Sequence, residues 1–95
     1  MPPSREQRLT PATARAVHNT AAARGHAPMW FVSSADPAHP GKVTARAFTA
    51  DHRGGAELGV LVADTLDELR AMLPTGLTRR EREPIYPAGM VETWD

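Results

Sequence analysis

The chain contains no cysteine, and Lys42 is its single lysine. The first absence excludes disulfide staples and thiolate metal sites. No stretch approaches the ~20 apolar residues that a membrane-spanning helix requires. The first residues also lack the apolar core of a secretory signal, so a cytoplasmic protein is expected. Aromatics are few, at 5% of the chain. Net charge is zero, but residues 29–95 are mildly acidic, which argues against nucleic-acid binding by the folded face.

Ninety-five residues allow one domain. Its compact part is smaller, because residues 1–28 hold only Leu9 and Val17 as large apolar groups beyond Met1. The zero net charge also conceals an asymmetry. Residues 1–28 carry Arg5, Arg8, Arg15 and Arg24 against Glu6, a net +3, whereas residues 29–95 carry seven basic and ten acidic groups, a net −3. A basic, Ala/Arg-rich arm over 1–28, partly helical or disordered, is therefore expected before a single compact domain over 29–95. Arginine-, alanine-, glycine- and proline-rich composition suits a GC-rich bacterial coding sequence. Met29 is itself a conceivable start.

Thr10-Pro11 reads as a helix start, with threonine at the N-cap and proline at the first helical position. Ala12 to Arg24 then forms a helix by propensity, with Gly25 past its end. Having almost no large apolar stripe, this helix is expected to dock loosely and to be dispensable for folding. Met29-Trp30-Phe31-Val32 is a strand of aromatic and β-branched residues. Val43 to Ala50 alternates as a second strand, placing Val43, Ala45 and Ala47 on one face and Thr44, Arg46 and Phe48 on the other. Gly54-Gly55 closes a hairpin. The apolar run Leu58 to Val62 predicts a third strand in a central position.

The clearest signal comes next. Thr65-Leu66-Asp67-Glu68 matches a capping box, and Leu66, Leu69, Met72 and Leu73 make an apolar stripe that Pro74 ends. Asp64, Asp67 and Glu68 favour the positive end of the helix dipole. Leu77 to Glu83 reads as a weak strand and Met90 to Trp94 as the last one. The fold class is α+β: an antiparallel sheet of three to five strands in β-β-β-α-β order, one anchored helix, and a weak N-terminal helix. Leu61, Leu66, Leu69 and Leu73 are expected to carry the core.

Chemistry-bearing groups are scattered. Asp36 with His39 and Asp51 with His52 are the two acid–histidine pairs, at opposite ends of the second strand. Eight strand residues at about 3.3 Å each separate those ends by roughly 26 Å, too far for one metal ion. Asp51 to Gly55 lacks the lysine and following helix of a phosphate loop. Asp67 with Glu68 suits capping, and Glu81 with Glu83 sits among Arg79, Arg80 and Arg82. No catalytic residue, metal ligand or cofactor-binding residue is therefore assigned, and an enzyme is not expected.

The α-β-β-β-α order looks like a double-stranded-RNA-binding domain. That family places lysines where Asp64, Asp67 and Glu68 stand here, and these acids repel phosphate. The β-β-β-α segment opened by Asp64-Thr65-Leu66-Asp67-Glu68 resembles HicB-type antitoxins over about residues 29–73. The Pro-Asp-Leu-Pro-Gly-type segment and the C-terminal DNA-binding module of that family have no counterpart, so no residue role is transferred.

Adjacent strand residues point to opposite faces, so one of Trp30 and Phe31 faces away from the helix, as does Phe48. That apolar face needs cover. The residues Trp30, Phe31, Arg46 and Phe48 are accordingly the expected partner-binding set, for another protein or a second copy of the chain. The alternative is a nucleic-acid-associated protein using Arg5, Arg8, Arg15 and Arg24.

Overall fold

The computed structural model describes residues 7–50, 56–80 and 90–95. Helix α1 (Pro11–Ala23) leads into strands β1 (Ala27–Ser33), β2 (Val43–Ala50) and β3 (Ala56–Ala63); helix α2 (Leu66–Met72), β4 (Arg79–Arg80) and β5 (Met90–Trp94) follow. The five strands form one antiparallel sheet in the order β3-β2-β1-β5-β4, an α+β fold. Among the described residues no helix is long and apolar enough to cross a membrane.

Strand alternation sorts the side chains into two layers. Trp30 pairs with Ala47 on one side and Trp94 on the other, Val32 pairs with Ala45, and Ala45 pairs with Leu61. These residues share one face, where they pack with Leu9, Ala14, Leu69 and Leu73 beneath the helices. Alanines on β2 leave room there for the indole of Trp30, which is 0% exposed. Each large apolar side chain buried in this way contributes roughly 1.5–3 kcal/mol. The other face carries Met29, Phe31, Thr44, Arg46 and Phe48.

Both helices are capped by threonine. Thr65 accepts from the Glu68 amide at 3.1 Å, and Asp67 and Glu68 occupy the first turn. The return bond expected from Glu68 does not form, so the capping box is only half made. A complete box stands instead at α1. There Thr10 accepts from the Thr13 amide at 3.1 Å, while the Thr10 amide donates to the Thr13 hydroxyl at 2.7 Å. Asp64 pairs with Lys42. Leu69 is fully buried and Leu61 with it, whereas Leu66 at the helix start is only half-buried.

Three expectations change. Strand β3 lies at one end of the sheet order and β1 at its centre. Val60, Leu61 and Val62 are nevertheless buried, which explains the apolar run. Residues 7–9 supply part of the reason, because they run beside β3: the Leu9 amide donates to the Val60 carbonyl at 2.8 Å and the Val60 amide to the Gln7 carbonyl at 2.9 Å. Second, α1 lies on β1 and β3. Its small residues are what permit this, since Ala14 and Ala21 are buried and bring the helix close to the sheet, and Leu9 is only 2% exposed. Residues 9–23 therefore belong to the packed layer. Third, the weak strand after Leu77 is confined to Arg79 and Arg80 within the described residues. The expected Gly54-Gly55 hairpin and the Glu81–Glu83 pair lie outside them.

At Gly59 the arm comes close against the sheet. The glycine φ is 147°, and an added Cβ would stand 2.7 Å from Leu9 Cγ and 2.8 Å from the Gln7 carbonyl oxygen. Gly59→Ala should destabilise the chain by about 1–3 kcal/mol through this overlap. Leu69→Ala should cost about 2–5 kcal/mol by leaving a cavity between α2 and the sheet. Urea midpoints of the two variants against wild type check both values; an unchanged midpoint for Leu69→Ala would place the α2 anchor elsewhere.

Candidate functional site

The sheet face opposite the helices holds the candidate site. On β1, Met29 and Phe31 alternate with the buried Trp30, and on β2, Thr44, Arg46 and Phe48 alternate with the buried alanines. Met29 stands opposite Phe48, and Phe31 opposite Arg46. The two phenyl rings meet edge to face with centroids 5.6 Å apart. Such a pair contributes about 0.5–1.5 kcal/mol beyond its buried area. Together with Met90 they line a depression of about 550 Å³. Phe48 is 37% exposed at its rim, one of two large apolar residues that exposed among the described residues, with Val91.

A polar row borders the aromatics. The turn after β1 folds Asp36 back over β2, where its Oδ2 accepts from Arg46 Nε at 2.8 Å and from the Thr44 hydroxyl at 3.2 Å. Its Oδ1 accepts from the Ala38 amide at 2.9 Å. Arg46 Nη1 reaches Glu57 Oε1 on β3 at 2.7 Å. Burial by itself would raise the Asp36 carboxyl, but the bonds from Arg46, Ala38 and Thr44 outweigh it and hold the group below the usual carboxylate range. The result is a guanidinium held between two carboxylates beside an apolar hollow.

A second polar cluster lies under the helices. Glu92 of β5 is 4% exposed, and its carboxylate receives Arg70 of α2 in a forked pair, Nε to Oε1 at 3.0 Å and Nη2 to Oε2 at 2.8 Å. The Trp94 indole donates to Oε1 at 2.9 Å. The Arg70 bonds hold the Glu92 carboxyl below its ordinary value despite burial. This pair ties α2 to β5, a structural link that sequence reasoning missed. Alternation contained the signal, since Glu92 shares a face with Trp94 two residues on.

The four expected partner-binding residues divide between the faces. Phe31, Arg46 and Phe48 come together on the open side. Trp30 does not join them: it faces the helices, where its indole N–H donates to His18 Nδ1 at 3.1 Å. The reason is volume, since the larger ring fits over Ala47 beneath α1. The three described arm arginines each border a hollow. Arg8 borders a hollow with Asp64 and Glu68, Arg15 one beside the end of α2, and Arg24 one with His26 at the far end of α1. Arg5 lies outside the described residues. Among the described residues no three metal-ligating side chains converge. In the turn around His39, the His39 amide donates to the Asp36 carbonyl at 3.0 Å.

No protein family, curated protein or solved structure matches this chain.

The depressed pKa of Asp36 makes a pH test available. A carboxylate favoured in the fold contributes stability that is present above its unfolded pKa of about 3.9 and is lost as pH falls through the lower folded value. Wild type should therefore melt higher than Asp36→Asn at about pH 6, with the gap closing toward about pH 3. A gap that stays constant across that range would mean that charge at Asp36 is not what holds the row.

Proposed function

We propose that this chain acts without catalysis, by binding another protein through the open sheet face formed by Phe31, Arg46 and Phe48. The observation that carries the reading is the exposed ring of Phe48 at the rim of the apolar hollow. Exposed aromatics on a sheet, next to a positioned arginine, are the usual energetic anchors of protein interfaces. Phe48 stands on β2, between two paired strands, so it is presented by rigid backbone. Arg46 is held by carboxylates on both sides, which lowers the ordering cost of using it on contact. A regulator or inhibitor that works by occupying a partner's surface fits this chemistry. Its place in the cell is expected to be the cytoplasm.

Phe48→Ala tests the reading. Truncating an interface anchor commonly costs about 2 kcal/mol or more in affinity. Wild type and variant are compared as immobilised baits on extract from the native source, alongside thermal melts of both. Proteins retained by wild type should be lost with Phe48→Ala while the two melting temperatures agree. A variant that melts several degrees lower would show that Phe48 belongs to the fold, and the reading would lose its anchor.

A further inference from the structure

We propose that His18 is an acid-sensitive latch: its protonation releases α1 from the sheet while the sheet itself stays folded. The inference does not depend on the binding role of the open face. It starts from the hydrogen bond between Trp30 and His18. An indole N–H only donates, so His18 Nδ1 must accept, and the imidazole is neutral with its proton on Nε2. The two rings also stack, with centroids 6.3 Å apart and planes 30° from parallel. Adding a proton to Nδ1 sets two donors against each other. It also leaves the N–H of a fully buried tryptophan without an acceptor, a loss that the fold cannot repair in place. The repair available is for α1 to move away and for water to enter.

The geometry makes α1 the element that yields. It is seated by Leu9, by the methyl groups of Ala14 and Ala21, and by the half-buried Val17, with no large fully buried side chain of its own. A hollow of about 390 Å³ already lies beside it, lined in part by Val17, Ala21 and Leu58. Elements with few buried apolar contacts open at lower free energy than the core. The sheet side is held differently, by strand pairing and by the Arg70–Glu92 and Arg46–Asp36 pairs.

Among the described residues, the surroundings of His18 supply no anion to stabilise its charged form. Beneath α1, strand β1 places Pro28, Trp30 and Val32, and β3 places Leu58, Gly59 and Leu61. None of these titrates. The charged groups on α1 and its cap are Arg15 and Arg24, both cations, and His26 follows at that end. Where α2 approaches α1, the neighbouring residues are Met72, Leu73, Pro74 and Thr75. On β5, the inward-facing carboxylate of Glu92 is closed on Arg70. Burial accordingly lowers the His18 pKa from its ordinary value. The sign follows: a group held neutral in the fold contributes docking that is complete above about pH 6.5 and is lost as pH falls toward the lower folded value. Asp36 and Glu92 are both held below the usual carboxylate range, so their pairs survive through that window.

Amide hydrogen exchange on the full chain reads the latch directly, as protection factors for residues 14–23 and, separately, for β2. Between about pH 7.5 and about pH 5, protection in α1 should fall at least about tenfold while β2 keeps its own. His18→Gln retains an acceptor that does not titrate, and it should hold α1 protected at the lower pH. Unchanged α1 protection in wild type would overturn the proposal, and so would joint loss in α1 and β2. An equal loss in His18→Gln would assign the effect to another group. Should His18→Gln already leave α1 unprotected at about pH 7.5, the triple variant His26→Gln/His39→Gln/His52→Gln decides, because His18 is then the only histidine in the chain. The transition must persist in that triple variant, and its disappearance would overturn the latch.

Discussion

The placement of one indole organises this molecule. Trp30 lies on the central strand, fully buried, between Ala47 and Trp94. A side chain of that size on the middle strand decides which face becomes the interior. In a strand a one-residue slip exchanges every side chain between faces, so burying Trp30 commits Phe31 and Met29 to the opposite side. It also sets what α1 must supply: small residues to approach closely, and an acceptor for the buried N–H. Ala14, Ala21 and His18 meet those requirements.

Each face of the sheet carries an arginine held by carboxylate, and the two have different consequences. Beneath the helices, Arg70 closes on Glu92 and joins α2 to β5. A buried carboxylate without such a partner would be strongly destabilising, so the link is obligatory once Glu92 faces inward. On the open face, Arg46 bridges Asp36 and Glu57 across the turn and β3. That row is partly solvated and adds less to stability. Its effect is to position a guanidinium beside an aromatic hollow, and the proposed binding role draws on that geometry.

The segment before α1 performs a third task. A strand at the end of a sheet exposes unpaired backbone groups that invite pairing with other chains. Residues 7–9 occupy part of that edge on β3, and Gly59 allows the approach. The arm thus covers backbone at one place and apolar surface at another. Because α1 does so with small side chains, its hold is modest, and one hydrogen bond at His18 weighs heavily in it.

Local pattern determined much of this in advance. Alternation in Val43 to Ala50, the threonine cap at Thr65, the leucine stripe of α2 and the final strand at Met90 to Trp94 are all properties of neighbouring residues, and the α+β class follows from them. Strand order is not such a property. The apolar run of β3 suits a central strand equally well as an outer strand whose edge another segment covers, and only the packed chain brings Gln7 to Val60. The same limit applied to the Trp30–Phe31 pair, where alternation separates the two rings but does not say which goes inside. The competition for volume over Ala47 decided that. Tertiary packing likewise brings Glu92 to Arg70 and Trp30 to His18, contacts between residues 22 and 12 positions apart that no local spacing encodes.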